Sequence, residues 1–178
     1  MEIHFGGPDM FDWLRRLFTN VGGAMLGILE WLRLAWYPIK HYRFQVSPAL
    51  WRGSRLKPEE YQQLKDLGIK SIVNLCLEDE DKDDEGCAKT GLQKFRIPVL
   101  DNVPPHHHQV LHFIDLASLP ANQPLYVHCE AGKGRTGVFV ACYRITVEGW
   151  TNQKALEEAK KFGLGMPDQE RFILKWKA

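Results

Sequence analysis

The spacing of apolar residues divides the 178-residue chain into two parts. Between residues 10 and 36, bulky apolar side chains recur every three or four positions, a spacing typical of an amphipathic helix or of two helices broken near Gly22. Beyond this segment, short β-rich runs alternate with helical patterns. We therefore predict a helical N-terminal extension over residues 1–40 and one compact domain over residues 41–178.

The apolar pattern of the second part predicts the order of its elements. Extended segments or strands are predicted at 37–53, 70–75, 95–99 and 124–127. Helices are predicted at 58–67, 109–119, 138–147, 151–162 and from about 166 onward. This order indicates an α/β fold with a central, mostly parallel twisted sheet flanked by helices, whose ligands bind at the carboxyl edge of the strands.

The junction between the last predicted strand and the helix after it carries the most informative residues, HCEAGKGRTG over 128–137. Gly132 and Gly134 allow the backbone to turn tightly and to approach a ligand closely. The N–H groups at a helix N-terminus can surround a phosphate, and Arg135 can bind two phosphate oxygens at once. The predicted phosphate-binding residues are Glu130, Ala131, Gly132, Lys133, Gly134 and Arg135.

Cys129 lies at the mouth of this loop, where inward N–H dipoles and Arg135 favour the thiolate over the thiol. A thiolate is a competent nucleophile toward phosphorus, so we expect a phosphocysteine intermediate that water then hydrolyses. We expect Thr136 to hydrogen-bond the sulfur as it leaves. We expect His128 to orient the loop, because neighbouring residues of a strand point to opposite sides.

These residues resemble the signature HCxxGxxR, followed by Ser or Thr, of the cysteine-based protein tyrosine and dual-specificity phosphatases. The run LWRGSR at 50–55, the helix after it and the run IVNL at 72–75 also resemble the opening of compact dual-specificity phosphatases. The likeness extends from about Ser47 to Phe172. It implies a three-layer protein-tyrosine-phosphatase-like fold, Cys129 as the nucleophile, and a hydrolysis that requires no metal and no cofactor.

A general acid is also needed, because an alkoxide or phenoxide leaving group must gain a proton. Asp101 follows a predicted strand and precedes Pro104, a context similar to the Asp-x-x-Pro general-acid loop of the family. The alternative is that Asp101 caps the helix predicted to start near His106. Gln169 lies in a Pro-x-Gln segment similar to one in related phosphatases, so we expect it to position water, or else to be a surface residue.

The acidic run EDEDKDDE at 78–85 predicts a solvated loop. Its alternative role is to recruit a basic partner or to repel polyanionic substrates, and its aspartates are weaker candidates for the general acid. Cys142 is predicted to lie in the core. Cys76 and Cys87 flank the acidic run, and the resemblance to lipid phosphatases raises the hypothesis that one of them pairs with Cys129 under oxidation.

Composition narrows the classes of partner. The chain has 23 Lys and Arg against 22 Asp and Glu, so it offers no strongly basic surface for nucleic acid. Its four cysteines show no CxxC spacing, which argues against a disulfide framework and a structural zinc site and favours a reducing, cytoplasmic compartment. The adjacent histidines 106–108 point in different directions on a helix start, so a metal site is not predicted there.

Two residues of the loop bear on the substrate. Lys133 could reach a second phosphate, as in the phosphatase-and-tensin lipid phosphatases, whose loop HCKAGKGRTG differs from this one only at Glu130. A carboxylate there should weaken the binding of highly charged inositides. Bacterial cysteine phytases resemble this loop in the Glu but not in the Lys.

The predicted substrates are ranked on this basis. Phosphotyrosine proteins, with phosphoserine and phosphothreonine, come first, and a phospholipid or inositol phosphate is the alternative. A catalytically weak module that only binds phosphoresidues is the third interpretation.

The predicted helix over 10–36 allows three roles. It can pack against the domain or a partner subunit, dock on a membrane surface, or act as an export signal or anchor. Its longest uncharged stretch is too short to span a bilayer. The layout of an amphipathic segment before the domain also resembles that of a mitochondrial phosphatidylglycerophosphate phosphatase. This resemblance implies that a lipid substrate is an alternative and that the protein would then be membrane-associated.

Overall fold

The computed structural model describes residues 43–78 and 83–177. The N-terminal extension over 1–40, its helix at 10–36 and the predicted domain start at residue 41 lie outside the described residues, so these three stay predictions. Within the described ranges, no helix has the length and apolarity that crossing a membrane requires.

The described residues form a five-stranded mixed sheet in the order β1-β2-β5-β3-β4. The first strand is antiparallel to its neighbour, and the other four are mutually parallel. The strands are β1 (Arg43–Ser47), β2 (Leu50–Ser54), β3 (Ser71–Cys76), β4 (Gln93–Val99) and β5 (Leu125–Cys129). The mostly parallel sheet that the sequence predicts is confirmed.

Helices cover both faces of this sheet and give three layers. The α-helices are α1 (Tyr61–Asp66), α2 (Asp84–Thr90), α3 (His107–Ser118), α4 (Gly134–Thr146), α5 (Asn152–Lys161) and α6 (Pro167–Lys175). Single 3₁₀ turns occupy Pro58–Glu60 and Pro120–Asn122. Helices α1 and α2 cover the smaller apolar cluster, which includes Ile72 and Tyr126, and the remaining helices cover the larger one.

The burial of residues in three of these elements explains the sequence patterns from which the elements are predicted. Every residue of β3 and β5 is buried, which explains why both strands are nearly continuous apolar runs and do not alternate with polar residues. Helix α4 is buried from Arg135 to Arg144, and the predicted core residue Cys142 lies within it. Helix α5 begins after Thr151, whose hydroxyl accepts a hydrogen bond from the Lys154 N–H at 3.2 Å, as an N-cap does.

Residues 79–82 of the acidic run lie outside the described residues, and among the described ones Asp83 departs from the solvated loop that the charges predict. Helix α2 begins at Asp84, and Asp83 immediately before it is 1% exposed. Glu78 at the other end of the run pairs with Arg135. At Asp83 the prediction is wrong, because charge density alone indicates solvent, whereas this carboxylate has partners in the interior. The side chains of Glu78 and Glu85 are 50% and 61% exposed, as the charges predict.

Asp83 is the centre of a buried polar cluster that comprises Asp83, Tyr61, Asn74 and His128, here called the Asp83 cluster. The Tyr61 hydroxyl donates to one carboxylate oxygen, and Asn74 Nδ2 donates to the other at 2.6 Å. His128 Nε2 lies 3.2 Å from the same oxygen as Asn74. Each of the four side chains is at most 2% exposed. The cluster therefore links β3, β5, α1 and the start of α2 through one carboxylate.

The pKa of Asp83 reflects these partners. Burial alone would raise it, but the hydrogen bond and charge of His128 and the hydrogen bonds from Tyr61 and Asn74 outweigh burial and lower the pKa to about 2. The contact with Asp83 shifts the pKa of the Tyr61 phenol upward, because burial and the charge of Asp83 both disfavour the phenolate. Asp83 is thus ionised and Tyr61 is protonated at neutral pH.

We expect Asp83→Asn to lower stability at pH 7 by about 2 kcal/mol, the free energy that corresponds to the lowered pKa. Because the pKa of Asp83 is lower in the folded protein than in the unfolded chain, this stabilisation is present above pH ~4 and is lost as pH falls toward 2. Urea unfolding at several pH values measures it. The neighbouring Asp84→Asn, whose ion pair with Lys94 is exposed, serves as the control. An equal loss of unfolding free energy in the two variants, or a loss in Asp83→Asn that does not depend on pH, contradicts the expectation.

We also expect Gly86→Ala to destabilise the fold by about 1–3 kcal/mol, the usual range for overpacking. A Cβ at Gly86 would lie 2.4 Å from the Tyr61 ring, which is fully buried and bonded to Asp83. The higher helix propensity of alanine in α2 offsets part of this loss. Gly165→Ala, where a Cβ meets no atom within 4 Å, is the matched control. Thermal unfolding of both variants checks the prediction, and a Gly86→Ala protein as stable as the control would show that the ring moves freely.

Candidate active site

The carboxyl ends of four parallel strands meet at one edge of the sheet. Cys129, the last residue of the central strand β5, pairs in register with Ser54, the last residue of β2. Strands β3 and β4 end at Cys76 and Val99 on the other side of β5. The segments after these strands therefore converge on Cys129, as expected for a parallel sheet.

The loop after Cys129 is short and is fixed by contacts with β2 and the residue after it. Helix α4 begins at Gly134, so the chain turns within a few residues, and Gly132 has a φ of 70° that suits glycine. The Arg55 N–H donates to the Glu130 carbonyl at 3.1 Å, and Arg52 Nη2 donates to the Gly132 carbonyl at 2.9 Å. The loop carbonyls bound in this way point outward toward β2.

Arg135 lies in the first turn of α4 with its side chain 1% exposed. Its Nη1 and Nη2 donate to the two carboxylate oxygens of Glu78 at 2.9 and 2.8 Å, and Nη1 also donates to the Val99 carbonyl at 3.1 Å. The guanidinium therefore lies at the same edge as Cys129, held by the ends of β3 and β4.

The contact between Arg135 and Glu78 shifts the pKa values of both side chains. Burial would lower the pKa of Arg135, but the hydrogen bonds with Glu78 and nearby negative charge raise it above its ordinary value. The hydrogen bonds from Arg135 lower the pKa of Glu78 to about 2, although half of the Glu78 side chain is exposed. Both groups are therefore charged at neutral pH.

Asp101 lies in the turn after β4, with its side chain 60% exposed. Its Oδ1 is 3.3 Å from Arg135 Nε. Helix α3 begins at His107 with His106 in the N-cap position, so the alternative role of Asp101 as the cap of that helix is wrong. The structure brings Asp101 to the same edge as Arg135 and leaves it open to solvent.

Gln169 is not the surface residue that the alternative interpretation describes. It is 1% exposed, and its Nε2 donates to the Val103 carbonyl at 3.1 Å. Its Oε1 has no hydrogen-bond partner among the described residues, and a Cβ added at Gly134 would lie 2.8 Å from that oxygen. The amide therefore lies against the start of α4, with an acceptor available beside the loop.

Thr136 and His128, the two residues predicted to support the loop, differ in their contacts. Thr136 is fully buried, and its hydroxyl makes no hydrogen bond within the described ranges, to the Cys129 sulfur or to any other group. His128 points away from the loop into the Asp83 cluster, and its Nδ1 lies 3.4 Å from the Cys129 carbonyl. His128 thus connects the Asp83 cluster to the backbone of Cys129.

The two residues that bear on the substrate lie on the loop surface. Glu130 is 56% exposed and forms an ion pair with Arg55. Lys133 occupies the N-cap position of α4 without a capping hydrogen bond, and its aliphatic stem lies against Gly163, where a Cβ would come within 3.0–3.4 Å of it. The absence of a side chain at Gly163 leaves room for the stem of Lys133.

Sequence reasoning missed two residues of this site, Glu78 and Arg52. Glu78 was assigned to the acidic run, although its place directly after β3 on the carboxyl edge is a signal that could have found it. Arg52 lies in a strand, where an arginine gives no sign of which loop it contacts. Cys76 is buried near Cys129, and burial raises the pKa of its thiol to about 12. The proposed oxidation partners of Cys129 stay untested.

The adjacent histidines have aromatic partners. His106 and His108 stack on each other with centroids 5.6 Å apart, and His107 stacks on Trp176 at 4.4 Å.

The chemistry available at this edge is that of phosphoryl transfer. A thiol at a strand end, a buried guanidinium and an accessible carboxylate surround the N-terminus of a helix, whose N–H groups attract anions. The protein thus presents a nucleophile, a clamp for two oxygens and a proton donor within one site.

Comparison with known proteins agrees with this chemistry. The family model described as a DSP-PTPase phosphatase fused to NAD⁺ kinase matches residues 40–174. The dual specificity protein phosphatase TpbA of Pseudomonas aeruginosa is 33% identical over 89% of this chain and 77% of its own length. Its crystal structure in complex with pTyr superposes with a TM-score of 0.64 at 28% identity, covering 77% of this chain and 84% of that one.

Two other relatives carry different names. The inositol diphosphatase SIW14 of Saccharomyces cerevisiae is 28% identical over 66% of this chain and 43% of its own length. The rat phosphatidylglycerophosphatase and protein-tyrosine phosphatase 1 is 28% identical over 88% of this chain and 70% of its own length. The match over 40–174, with a fold shared with TpbA, shows that this chain belongs to the cysteine-based dual-specificity phosphatases and is a cysteine-dependent phosphatase.

Proposed function

We propose that this protein hydrolyses phosphotyrosine esters of proteins, and phosphoserine and phosphothreonine esters as well, through a phosphocysteine on Cys129. The observation that carries the proposal is the buried Arg135, which lies in the first turn after the Cys129 loop and is held between Glu78 and Asp101. A dianionic phosphate that binds at this helix start meets the guanidinium and the loop N–H groups together.

In the proposed first step, the Cys129 sulfur attacks phosphorus and forms an S–P bond while the ester P–O bond breaks. Arg135 and the loop N–H groups of Glu130 to Gly134 stabilise the charge on the equatorial oxygens. Asp101 gives its proton to the leaving oxygen, and its exposure allows it to reach a substrate above the loop. Arg135 is already oriented by Glu78, so little reorganisation is needed when the phosphate arrives.

In the proposed second step, water attacks the phosphocysteine, the S–P bond breaks, and Asp101 accepts the proton from water. Gln169 is positioned to hold this water, because its Oε1 lies beside the loop without another partner in the described residues. Both steps use only groups of the chain and water.

The charges around the site favour a simple phosphomonoester over a polyphosphate. Glu130 already pairs with Arg55 on the loop surface, and the half-exposed carboxylate of Asp101 lies beside Arg135. An additional phosphate on a ligand would compete with Glu130 for Arg55 and would be repelled by Asp101, whereas a phosphotyrosine brings one dianion and an uncharged ring. The similarity to TpbA, a dual specificity protein phosphatase, supports the same substrate class.

Lys133 supports a second candidate, the hydrolysis of a phospholipid or inositol phosphate. Lys133 lies in the loop at the start of α4 with its stem against Gly163, and its ammonium can attract a second phosphate. The names of two relatives, an inositol diphosphatase and a phosphatidylglycerophosphatase, point to the same class. A membrane contact of residues 10–36 would belong to this candidate.

We expect Asp101→Asn to lower kcat by about 10²–10⁴-fold on phosphotyrosine and phosphothreonine peptides, the usual contribution of a general acid. The loss should be much smaller on p-nitrophenyl phosphate, whose leaving group needs no proton. Cys129→Ser should abolish turnover of all three substrates. The exposed Asp115→Asn on α3 removes the same charge away from the site and is the control. Equal losses of Asp101→Asn on good and poor leaving groups would remove Asp101 from the role of acid.

We expect Glu130→Lys to raise kcat/KM for an inositol polyphosphate relative to a phosphotyrosine peptide by on the order of tenfold, because it reverses a charge beside the bound phosphate. The exposed Glu59→Lys makes the same charge change elsewhere and should not alter the ratio. Phosphate release from both substrates, measured side by side at one ionic strength, gives the ratio. A parent protein that already prefers the inositol phosphate or phosphatidylglycerophosphate would establish the second candidate instead.

A further inference from the structure

Arg52 on β2 is a buried arginine that none of the proposed reaction steps uses. It is 1% exposed and ranks among the largest side chains that are almost fully buried. In the sheet it pairs with Phe44 on one side and with Val127 of the cysteine-bearing strand on the other. A charged side chain at such a position needs a reason, because burying a cation is costly unless a partner compensates it.

The contacts of Arg52 are unusual for a buried guanidinium. Nη2 donates to the Gly132 carbonyl at 2.9 Å, and the guanidinium carbon lies 4.1 Å from the centre of the Phe162 ring. Its Nε and Nη1 have no hydrogen-bond partner in the described part of the chain. Among residues 43–78 and 83–177, no carboxylate forms an ion pair with Arg52 to balance its positive charge.

Arg144 shows what a compensated arginine looks like in the same molecule. It is also buried and stacks on an aromatic ring, at 4.3 Å from the centre of Trp150. However, Arg144 donates to the carboxylates of Glu148 and Glu158 with all three of its nitrogens. The two arginines also differ in location, because Arg52 lies against the Cys129 loop and Arg144 lies at the end of α4 away from it.

The hydrogen bond to Gly132 fixes the orientation of one peptide of the loop. A trans peptide is planar, and its C=O and N–H point in opposite directions. Because the Gly132 carbonyl points to Arg52, the N–H of Lys133 in the same peptide points away from Arg52. Gly132, with its φ of 70°, allows this turn.

We propose that Arg52 is a positioning residue for the phosphate: it holds the Gly132–Lys133 peptide with its N–H directed into the loop, and its unpaired charge is compensated when the dianion binds. This assignment rests on the proposed function of the Cys129 loop. Arginine suits the role because its flat guanidinium stacks on Phe162 while one nitrogen donates in a fixed direction, which a lysine ammonium does not do.

The test measures oxyanion binding separately from folding. Tungstate, a tetrahedral oxyanion, is used as a competitive inhibitor of p-nitrophenyl phosphate hydrolysis by the full chain, and thermal unfolding is recorded for each variant. We expect Arg52→Met to weaken tungstate inhibition by on the order of tenfold or more, as for a lost charge-assisted contact, and to raise KM. Arg144→Met is the matched control, which should lower thermal stability and leave the tungstate inhibition constant within about twofold of the parent value.

The outcomes separate this assignment from the proposed function. If the parent protein neither hydrolyses p-nitrophenyl phosphate nor is inhibited by tungstate, the proposed function is overturned and this assignment with it. If the parent protein shows hydrolysis and inhibition, and a folded Arg52→Met variant binds tungstate as tightly as the parent does, this assignment alone is overturned. If Arg52→Met does not fold, Arg52→Lys decides: it should weaken tungstate inhibition by about threefold or more, because the ammonium loses the stacked, directed contact, and unchanged inhibition refutes the role.

Discussion

A buried guanidinium must have its charge and its donors compensated, and Arg135 meets this requirement by drawing the ends of two strands to the first turn of a helix. Glu78 after β3 accepts from both terminal nitrogens, and the Val99 carbonyl at the end of β4 accepts from one of them. Asp101 lies beside the third nitrogen. The guanidinium that we propose binds phosphate is therefore also the group that fixes the segments around Cys129.

A second constraint acts on the other side of the cysteine-bearing strand. His128 and Cys129 are neighbours in β5, and His128 faces the Asp83 cluster while Cys129 leads into the loop. The acidic run supplies one carboxylate to each side, Glu78 to Arg135 and Asp83 to His128. Two carboxylates of a run that the sequence predicts to be solvated thus have buried partners, one at the Arg135 guanidinium and one in the Asp83 cluster.

Much of this arrangement is predictable from sequence because it is local. Strands buried on both faces leave continuous apolar runs, as in β3 and β5, and the loop from Cys129 to Arg135 combines residue types that act together over a short span. The remainder depends on contacts distant in sequence. Asp83 is predicted at the surface, and Gln169 either near the site or at the surface, because polarity is the main local signal that they carry. Their burial follows from partners that only the folded chain brings near. The orientation of Arg52 likewise depends on Phe162 and Gly132, both far away in the chain.

The partners of Glu78 and Asp83 have a consequence for how this protein can vary over evolution. Glu78 pairs with the buried guanidinium of Arg135, and Asp83 lies against the buried His128. The acidic neighbours Asp84 and Glu85 pair instead with Lys94 and Lys89 near the surface. A substitution at Glu78 or Asp83 would leave a buried group without its partner, whereas a substitution at Asp84 or Glu85 would not. Selection should therefore preserve two carboxylates of this run and tolerate change at the acidic residues beside them, although all four carry the same charge.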